Sequence, residues 1–192
     1  MYKDYDLRRG DRAILETLIN WEPTPQKPSA LLYGVPGLGK TLLACATLNE
    51  HHAGYRTPKK APEATKLRIL QENRPVYFIQ AAEWINLQIR LFNLEDRHRR
   101  DLVDGSEVIE TDRLIQDLYH TVQLLVIDDV GKEHRTQSGF AEDSLDLLIR
   151  TRHYNGLNTI YTSNIAVSNW SNKYQESMQS FITRTCLLVE FR

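Results

Sequence analysis

The chain has 192 residues, a formal net charge of −1, 41% hydrophobic residues and 26% charged residues. This length and composition are typical of one globular domain with a real core. The near-zero net charge predicts no partner by itself, so local clusters of charge must be considered instead. No apolar run approaches the roughly 20 residues of a membrane-spanning helix, so no membrane partner is expected.

The two cysteines and the N-terminus bear on the cellular compartment. Cys45 and Cys186 lie inside apolar runs, where cysteine behaves as a small buried hydrophobic residue rather than as part of a disulfide framework or a metal site. The first residues, MYKDYDLRRGDR, contain no apolar signal-peptide core. We therefore expect a reducing, cytoplasmic environment.

Helices and strands are predicted to alternate along the chain. In order, the first half contains a helix over residues 7–21, a Pro-rich linker, a strand over 30–33, a helix over 40–52, a strand over 76–79 and a helix over 84–92. The second half contains one or two helices within 93–120, a strand over 124–127, a helix over 140–154, a strand over 158–162, a helix over 174–184 and a strand over 186–191. Strands that are continuous apolar runs between helices predict an α/β fold with a parallel sheet covered on both faces.

A Gly-rich segment follows the first predicted strand and opens the next helix. It reads GVPGLGKT from Gly34 to Thr41 and fits G-x-x-x-x-G-K-[ST] at every fixed position. Its glycines let backbone N–H groups approach a triphosphate, Lys40 is expected to reach the β- and γ-phosphates, and the Thr41 hydroxyl is expected to bind Mg²⁺. The alternative is a Gly-rich turn that precedes a lysine by chance. The predicted ATP-binding residues are Gly34, Val35, Pro36, Gly37, Leu38, Gly39, Lys40, Thr41 and Leu42.

A second segment, LLVIDDVGKE, ends an apolar strand with two adjacent carboxylates. Two like charges side by side repel each other unless a cation or a proton compensates them. Beside a phosphate-binding loop, Asp128 is expected to help hold Mg²⁺, and Asp129 is placed to orient or deprotonate the attacking water. The alternative is a strand end capped by solvated acids.

The segments GVPGLGKT, LLVIDDVGKE and NTIYTSN, in this order, resemble the AAA+ ATPases, and among them most closely the DnaC/DnaI helicase loaders and the related IstB transposition ATPases. The DDxGxE pattern, the stretch FIQAAEWI and the RHY tripeptide before the NTIYTSN strand fit the same group. The resemblance covers roughly residues 29–191. It implies a P-loop NTPase fold with a five-stranded parallel sheet in the order 5-1-4-3-2, flanked by helices.

The resemblance also implies roles for residues outside the two segments. Asn164 matches the polar sensor that contacts the γ-phosphate or the attacking water, although by itself an Asn at a strand end also suits a turn. Arg184 matches the arginine finger that reaches the γ-phosphate of a neighbouring subunit, because a planar guanidinium donates to two phosphate oxygens at once. The alternative for Arg184 is a surface residue at a helix C-terminus. Arg150 and Arg152 are further candidates for the same interface.

Two departures from the AAA+ pattern affect the expected chemistry. Many AAA+ proteins follow the first acid with Glu, whereas this chain has the shorter Asp129, so hydrolysis is expected to be slow or Glu133 to share the role of base. The alternative for Glu133 is a solvated side chain in a loop. Residues 29–192 are expected to form the ATPase core without the usual C-terminal helical lid, preceded by a helix and Pro-rich linker in residues 1–28.

Two basic clusters are candidates for contact with nucleic acid. Basic grooves with aromatic side chains hold single strands without reading their sequence. The aromatic candidates nearby are Tyr55 and Phe92. The alternative is a solvated charged surface. The basic residues are Arg56, Lys59 and Lys60 in the first cluster, and Arg97, Arg99 and Arg100 in the second.

The predicted function is ATP-dependent loading of a replicative helicase hexamer onto single-stranded DNA, with self-assembly through the Arg184 interface. One alternative is an IstB-like ATPase that binds duplex DNA and recruits a transposase. Another is a nucleotide-gated inhibitor that occupies a helicase without turning over ATP. A small-molecule phosphotransferase shares the phosphate loop, but the DDxGxE and TSN elements argue against it.

Overall fold

The computed structural model describes residues 17, 21, 23–24, 26–54, 75–100, 105–133 and 139–192. The predicted helix over 7–21 lies outside the described residues except at two positions, and the basic cluster of Arg56, Lys59 and Lys60 lies outside them entirely. No helix in the described part of the chain is long and apolar enough to cross a membrane.

Five parallel strands form the sheet of the described chain. Their order across the sheet is β2-β3-β4-β1-β5, which confirms the predicted order 5-1-4-3-2. Every neighbouring pair is parallel, with Leu31 opposite Tyr161 on one side and opposite Leu188 on the other. The strands are β1 (Ser29–Gly34), β2 (Val76–Gln80), β3 (Leu124–Val130), β4 (Asn158–Ser163) and β5 (Cys186–Phe191).

Helices connect the strands and cover the sheet. They are α1 (Lys40–Gly54), α2 (Ala81–Arg99), α3 (Gly105–His120), α4 (Phe140–Tyr154) and α5 (Glu176–Thr185), with a 3-10 helix at Val167–Asn172 before α5. The helix predicted over 84–92 is only the middle of α2, which has 19 residues. Its charged end stays helical because Leu94, 4% exposed, continues the buried face of the helix.

Both faces of the sheet are buried, as the apolar strands predict. Leu125 and Ile127 point into the larger cluster with Trp84 of α2, whereas Leu124 and Val126 point into the smaller cluster on the other face. This alternation follows the period of two in a strand, and it explains why β3 is apolar at consecutive positions rather than at every second one.

Candidate nucleotide site

The site lies at the carboxyl edge of the sheet, where β1, β3 and β4 end. Since the three strands are parallel and adjacent, the residues that follow them meet at one edge. The phosphate loop follows β1, the paired aspartates end β3, and Asn164 follows β4. Segments that are far apart in the sequence are thereby brought together.

The phosphate loop begins with a backbone conformation that only glycine adopts readily. Gly34 has a φ of 131°, and a Cβ atom there would lie 2.0 Å from the carbonyl oxygen of Phe191. The N–H of Val35 donates to the same oxygen at 3.3 Å. The loop is therefore anchored to the end of β5, and Gly37 and Gly39 continue it with φ values of 83° and 85°.

Lys40 directs its ammonium group into this loop. Nζ donates to the carbonyl oxygens of Gly34 at 3.0 Å and Val35 at 2.8 Å, and the residue is only 6% exposed. Burial lowers the pKa of Lys40, while the nearby Asp129 carboxylate opposes that shift. The arrangement places a cation against the backbone of the first two residues of the loop.

Asp128 joins the phosphate loop to β4 through one carboxylate oxygen. Oδ1 accepts a hydrogen bond from Thr41 Oγ1 at 2.8 Å and another from Thr162 Oγ1 at 2.5 Å, and Asp128 is 3% exposed. A carboxylate next to a hydroxyl is the hard oxygen donor set that Mg²⁺ prefers, so these residues fit the predicted ion.

Thr162 is a member of the site that sequence reasoning missed. Besides donating to Asp128, its hydroxyl oxygen accepts the backbone N–H of Asp129 at 2.9 Å. It is 1% exposed and lies in β4, where Thr159 and Ser163 are also buried polar residues. A polar side chain within a buried strand was the signal that could have identified it, since buried hydroxyls have partners.

Asp129 lies between two nitrogen donors. Its Oδ1 accepts from Asn164 Nδ2 at 3.3 Å, and its Oδ2 pairs with Lys132 Nζ at 2.7 Å. Its φ of 57° is left-handed, a conformation that is uncommon outside glycine and is associated with functional sites. The sequence reasoning did not single out Lys132, which is four residues after Asp128 and carries no motif of its own.

Glu133 does not have the position expected of a second base. It is 3% exposed, and its Oε2 accepts the N–H of Gly131 at 2.9 Å. Its Oε1 accepts from the Tyr174 hydroxyl and lies 3.3 Å from Lys173 Nζ. The expectation that Glu133 is either a base or a solvated loop residue is therefore corrected: its carboxylate is buried and engaged within the protein.

The candidate finger residues lie apart from these side chains. Arg184 is in the last turn of α5, exposed beside a polar hollow that Glu176 and Gln179 help to line. Arg150 donates to Asp146 Oδ2 at 2.7 Å, and its guanidinium lies 4.6 Å from the ring centroid of Phe181. Arg184 is therefore an exposed residue of α5, whereas Arg150 is half-buried on α4.

Arg152 is not an interface residue. It is fully buried, and it donates to the carbonyl oxygens of Leu118 at 2.6 Å, Val122 at 3.0 Å and Asn158 at 2.8 Å, and to Thr159 Oγ1 at 2.9 Å. Burial lowers its pKa to about 10. These partners precede or begin β3 and β4, so Arg152 binds the edge of the sheet opposite the phosphate loop, and the expectation that it contacts a neighbour is wrong.

The second basic cluster forms the exposed end of α2. Arg97, Arg99 and Arg100 are all exposed. Arg100 pairs with Asp96 at 2.8 Å, but the two side chains are 68% and 41% exposed, so this pair holds the arginine weakly. Phe92, two turns earlier in the same helix, is 65% exposed. The described part of the chain thus presents cations and one aromatic ring on the same helix.

Comparison with known proteins finds likeness in structure rather than in sequence. No protein-family model and no curated protein matches the chain. The DnaC helicase loader has a TM-score of 0.56 at 20% identity, covering 94% of this chain and 86% of that one. DnaI has a TM-score of 0.57 at 18% identity, covering 98% and 86%.

A replication initiator, DnaA bound to AMPPCP and single-stranded DNA, has a TM-score of 0.60 at 16% identity. It covers 94% of this chain, while this chain spans 44% of the DnaA chain, less than half of its length. At identities this low, the structural likeness establishes the fold alone. The predicted resemblance is therefore confirmed at that level: the chain has the α/β P-loop fold that the AAA+ ATPases DnaC, DnaI and DnaA share.

Proposed function

We propose that the chain binds ATP with Mg²⁺ and hydrolyses it to ADP and phosphate. The observation that carries the proposal is the meeting of Lys40, Thr41, Asp128, Asp129 and Asn164 at one sheet edge. The DnaA structure with the same fold holds AMPPCP, an ATP analogue, which supports a nucleotide here.

In the proposed complex, the backbone N–H groups of the phosphate loop and the first turn of α1 bind the phosphates. Lys40 exchanges its two backbone partners for phosphate oxygens. Thr41 and Asp128 would hold Mg²⁺, which would supply positive charge to offset that of the phosphates. The buried hydroxyl of Thr162 keeps the Asp128 carboxylate in place for that task.

Hydrolysis requires a water whose oxygen attacks the γ-phosphorus while the bond to the β–γ bridging oxygen breaks. Asp129 accepts the proton that the water loses, and Asn164, whose amide contacts the same carboxylate, orients the water. Because Lys132 occupies Oδ2 of Asp129, it must move aside before that oxygen accepts a proton. This competition favours slow basal turnover.

Arg184 completes the proposed site in trans. It is exposed on α5 and precedes Cys186, which pairs with the first residue of β1, so it lies at the sheet edge opposite the phosphate loop and does not serve the phosphates of its own chain. In an assembly, the Arg184 guanidinium of one copy donates to the γ-phosphate on the next and stabilises the charge of the transition state. Nucleotide binding and self-assembly are thereby coupled.

The proposed cellular task is loading a replicative helicase hexamer onto single-stranded DNA. The fold likeness to DnaC and DnaI, and to a DnaA structure that contains single-stranded DNA, supports this class of task. The arginines at the end of α2, with Phe92 nearby, supply the phosphate contacts and a stacking surface. The Asp129–Lys132 pair gives weight to a second candidate, a nucleotide-gated inhibitor that binds a helicase with little turnover.

The test mixes the chain with the replicative helicase of its own source, with and without ATP, and measures the mass of the complex by light scattering after size exclusion. A complex with the hexamer supports the helicase role, and its ATPase rate separates loader from inhibitor. Lys40→Ala is expected to abolish nucleotide binding, whereas Arg184→Ala is expected to keep binding and lose assembly and hydrolysis. No complex, with mass growth on duplex DNA instead, would favour a transposition ATPase.

A further inference from the structure

The segment after β3 is fastened to the segment after β4 by a buried polar cluster. We define the Glu133 cluster as Gly131, Glu133, Lys173 and Tyr174. Lys173 Nζ donates to the carbonyl oxygens of Gly131 and Glu133, each at 2.6 Å, and lies 3.3 Å from Glu133 Oε1. The Tyr174 hydroxyl donates to the same Oε1, while Gly131 N–H donates to Oε2. Four of these contacts join positions about 40 residues apart, and the bond from Gly131 N–H fixes Glu133 within its own segment.

The cluster is buried, which makes its contacts strong and their loss costly. Glu133 is 3% and Tyr174 4% exposed, and the side chain of Lys173 is 15% exposed. Burial, and then the adjacent Glu133 carboxylate, raises the pKa of Tyr174, so the phenol stays protonated and remains a donor. A buried carboxylate with a cation and two donors is fully partnered and holds one geometry.

The cluster joins the chain segments that follow the two groups proposed to handle the water. Asp129 is the last residue but one of β3, four residues before Glu133, and Asn164 begins the segment after β4 that leads to Lys173. Further contacts hold the two segments together: Ser163 Oγ donates to Val130 O at 2.7 Å, and a Cβ on Gly131 would lie 2.5 Å from Ile165 Cδ1. A shift of Glu133 would therefore move Asp129 relative to Asn164.

We propose that Glu133 is a positioning residue, which with Lys173 and Tyr174 fixes the segment after β3 so that Asp129 stays beside Asn164. This inference rests on the proposed ATPase function and refines it, because the last acid of DDxGxE acts through Asp129 rather than on the water. Since a displacement near 1 Å at a reacting centre can cost roughly 100-fold in rate, loosening this segment is expected to lower turnover without weakening ATP binding.

The perturbation is Glu133→Gln, which keeps the shape and removes the charge. Whichever way the amide is turned, its NH₂ faces either Gly131 N–H or the Lys173 ammonium, so a donor meets a donor. Lys173→Met removes the other side of the cluster, and Tyr174→Phe removes a single hydroxyl in case the first two variants fold poorly. The matched control is Glu110→Gln on the exposed surface of α3.

Two measurements are made on each variant. Hydrogen–deuterium exchange of residues 124–133 reports on the segment without requiring activity, and steady-state kinetics with ATP titrations separate kcat from affinity. We expect faster exchange, a kcat about 10- to 100-fold lower, ATP affinity within about twofold and an unchanged acidic limb of the pH–rate profile. The control is expected to match the wild type.

The outcomes separate this inference from the proposed function. Unchanged kcat despite faster exchange would overturn the positioning role, and so would loss of the acidic limb in Glu133→Gln, which would make Glu133 the proton acceptor. If the wild type does not hydrolyse ATP at all, the proposed function fails, and hydrogen–deuterium exchange alone decides whether the cluster fixes the segment. Faster exchange in the variants would then support the role of the cluster, and unchanged exchange would refute that role.

Discussion

Replacing Thr162 by Val tests whether one hydroxyl holds the two aspartates of the site in place. The two side chains have nearly the same shape, and Val suits a β-strand as well as Thr does, so β4 itself is not expected to change. The substitution removes the donor to Asp128 Oδ1 at 2.5 Å and the acceptor of Asp129 N–H at 2.9 Å.

The magnitude follows from these two contacts. A hydrogen bond to a charged group contributes about 1.5–3 kcal/mol, and leaving a buried N–H without a partner costs about 1–3 kcal/mol. Because the contacts share one oxygen and their losses do not add fully, we expect the free energy of unfolding to fall by about 2–4 kcal/mol. For a domain of this size, this corresponds to a melting temperature lower by roughly 4–16 °C.

The assay is urea unfolding monitored by circular dichroism, with Thr162→Ser as the matched control. Ser keeps the hydroxyl and loses one methyl group, which costs about 1 kcal/mol, so its midpoint is expected to lie near that of the wild type. ATPase activity of the Val variant is expected to fall further than stability explains, since Asp128 and Asp129 both lose a partner. A Val variant as stable and active as the Ser control would refute the reasoning.

Three further substitutions test other features of the structure. Lys132→Met removes the ion pair with Asp129 Oδ2, and we expect a kcat about two- to fivefold higher. Because the pair is partly exposed, the free energy of unfolding is expected to change by less than about 1 kcal/mol. A lower kcat would show that the lysine assists turnover. Arg152→Met leaves buried carbonyl oxygens without donors and is expected to lower the free energy of unfolding by about 3 kcal/mol or more in a thermal melt, while ATP binding measured well below the melt persists. Gly34→Ala is expected to abolish nucleotide binding measured by titration calorimetry, whereas Gly156→Ala, with a φ of 68° and open space for a Cβ, is expected to cost only about 1–2 kcal/mol of stability.

Local sequence patterns were sufficient to predict the strands, most of the helices and the phosphate loop. All five strands were predicted, several of them as continuous apolar runs, and α4 and β5 begin and end at the predicted residues. The boundaries that differ have physical reasons. The charged end of α2 is helical because Leu94 packs inward, and α5 begins two residues later than predicted because Tyr174 is part of the buried Glu133 cluster.

The sequence by itself determined the fold class, the phosphate loop and the acidic strand end, because these depend on side-chain period and on residues adjacent in the chain. The tertiary structure alone decided what individual polar side chains contact. In the folded chain, Arg152 is buried and donates to carbonyl oxygens at one edge of the sheet. The carboxylate of Glu133 contacts Lys173 and Tyr174, and the hydroxyl of Thr162 contacts both aspartates. For each of these groups, at least one partner lies about 30 to 40 positions away, so the packing of helices and loops against the sheet selects it.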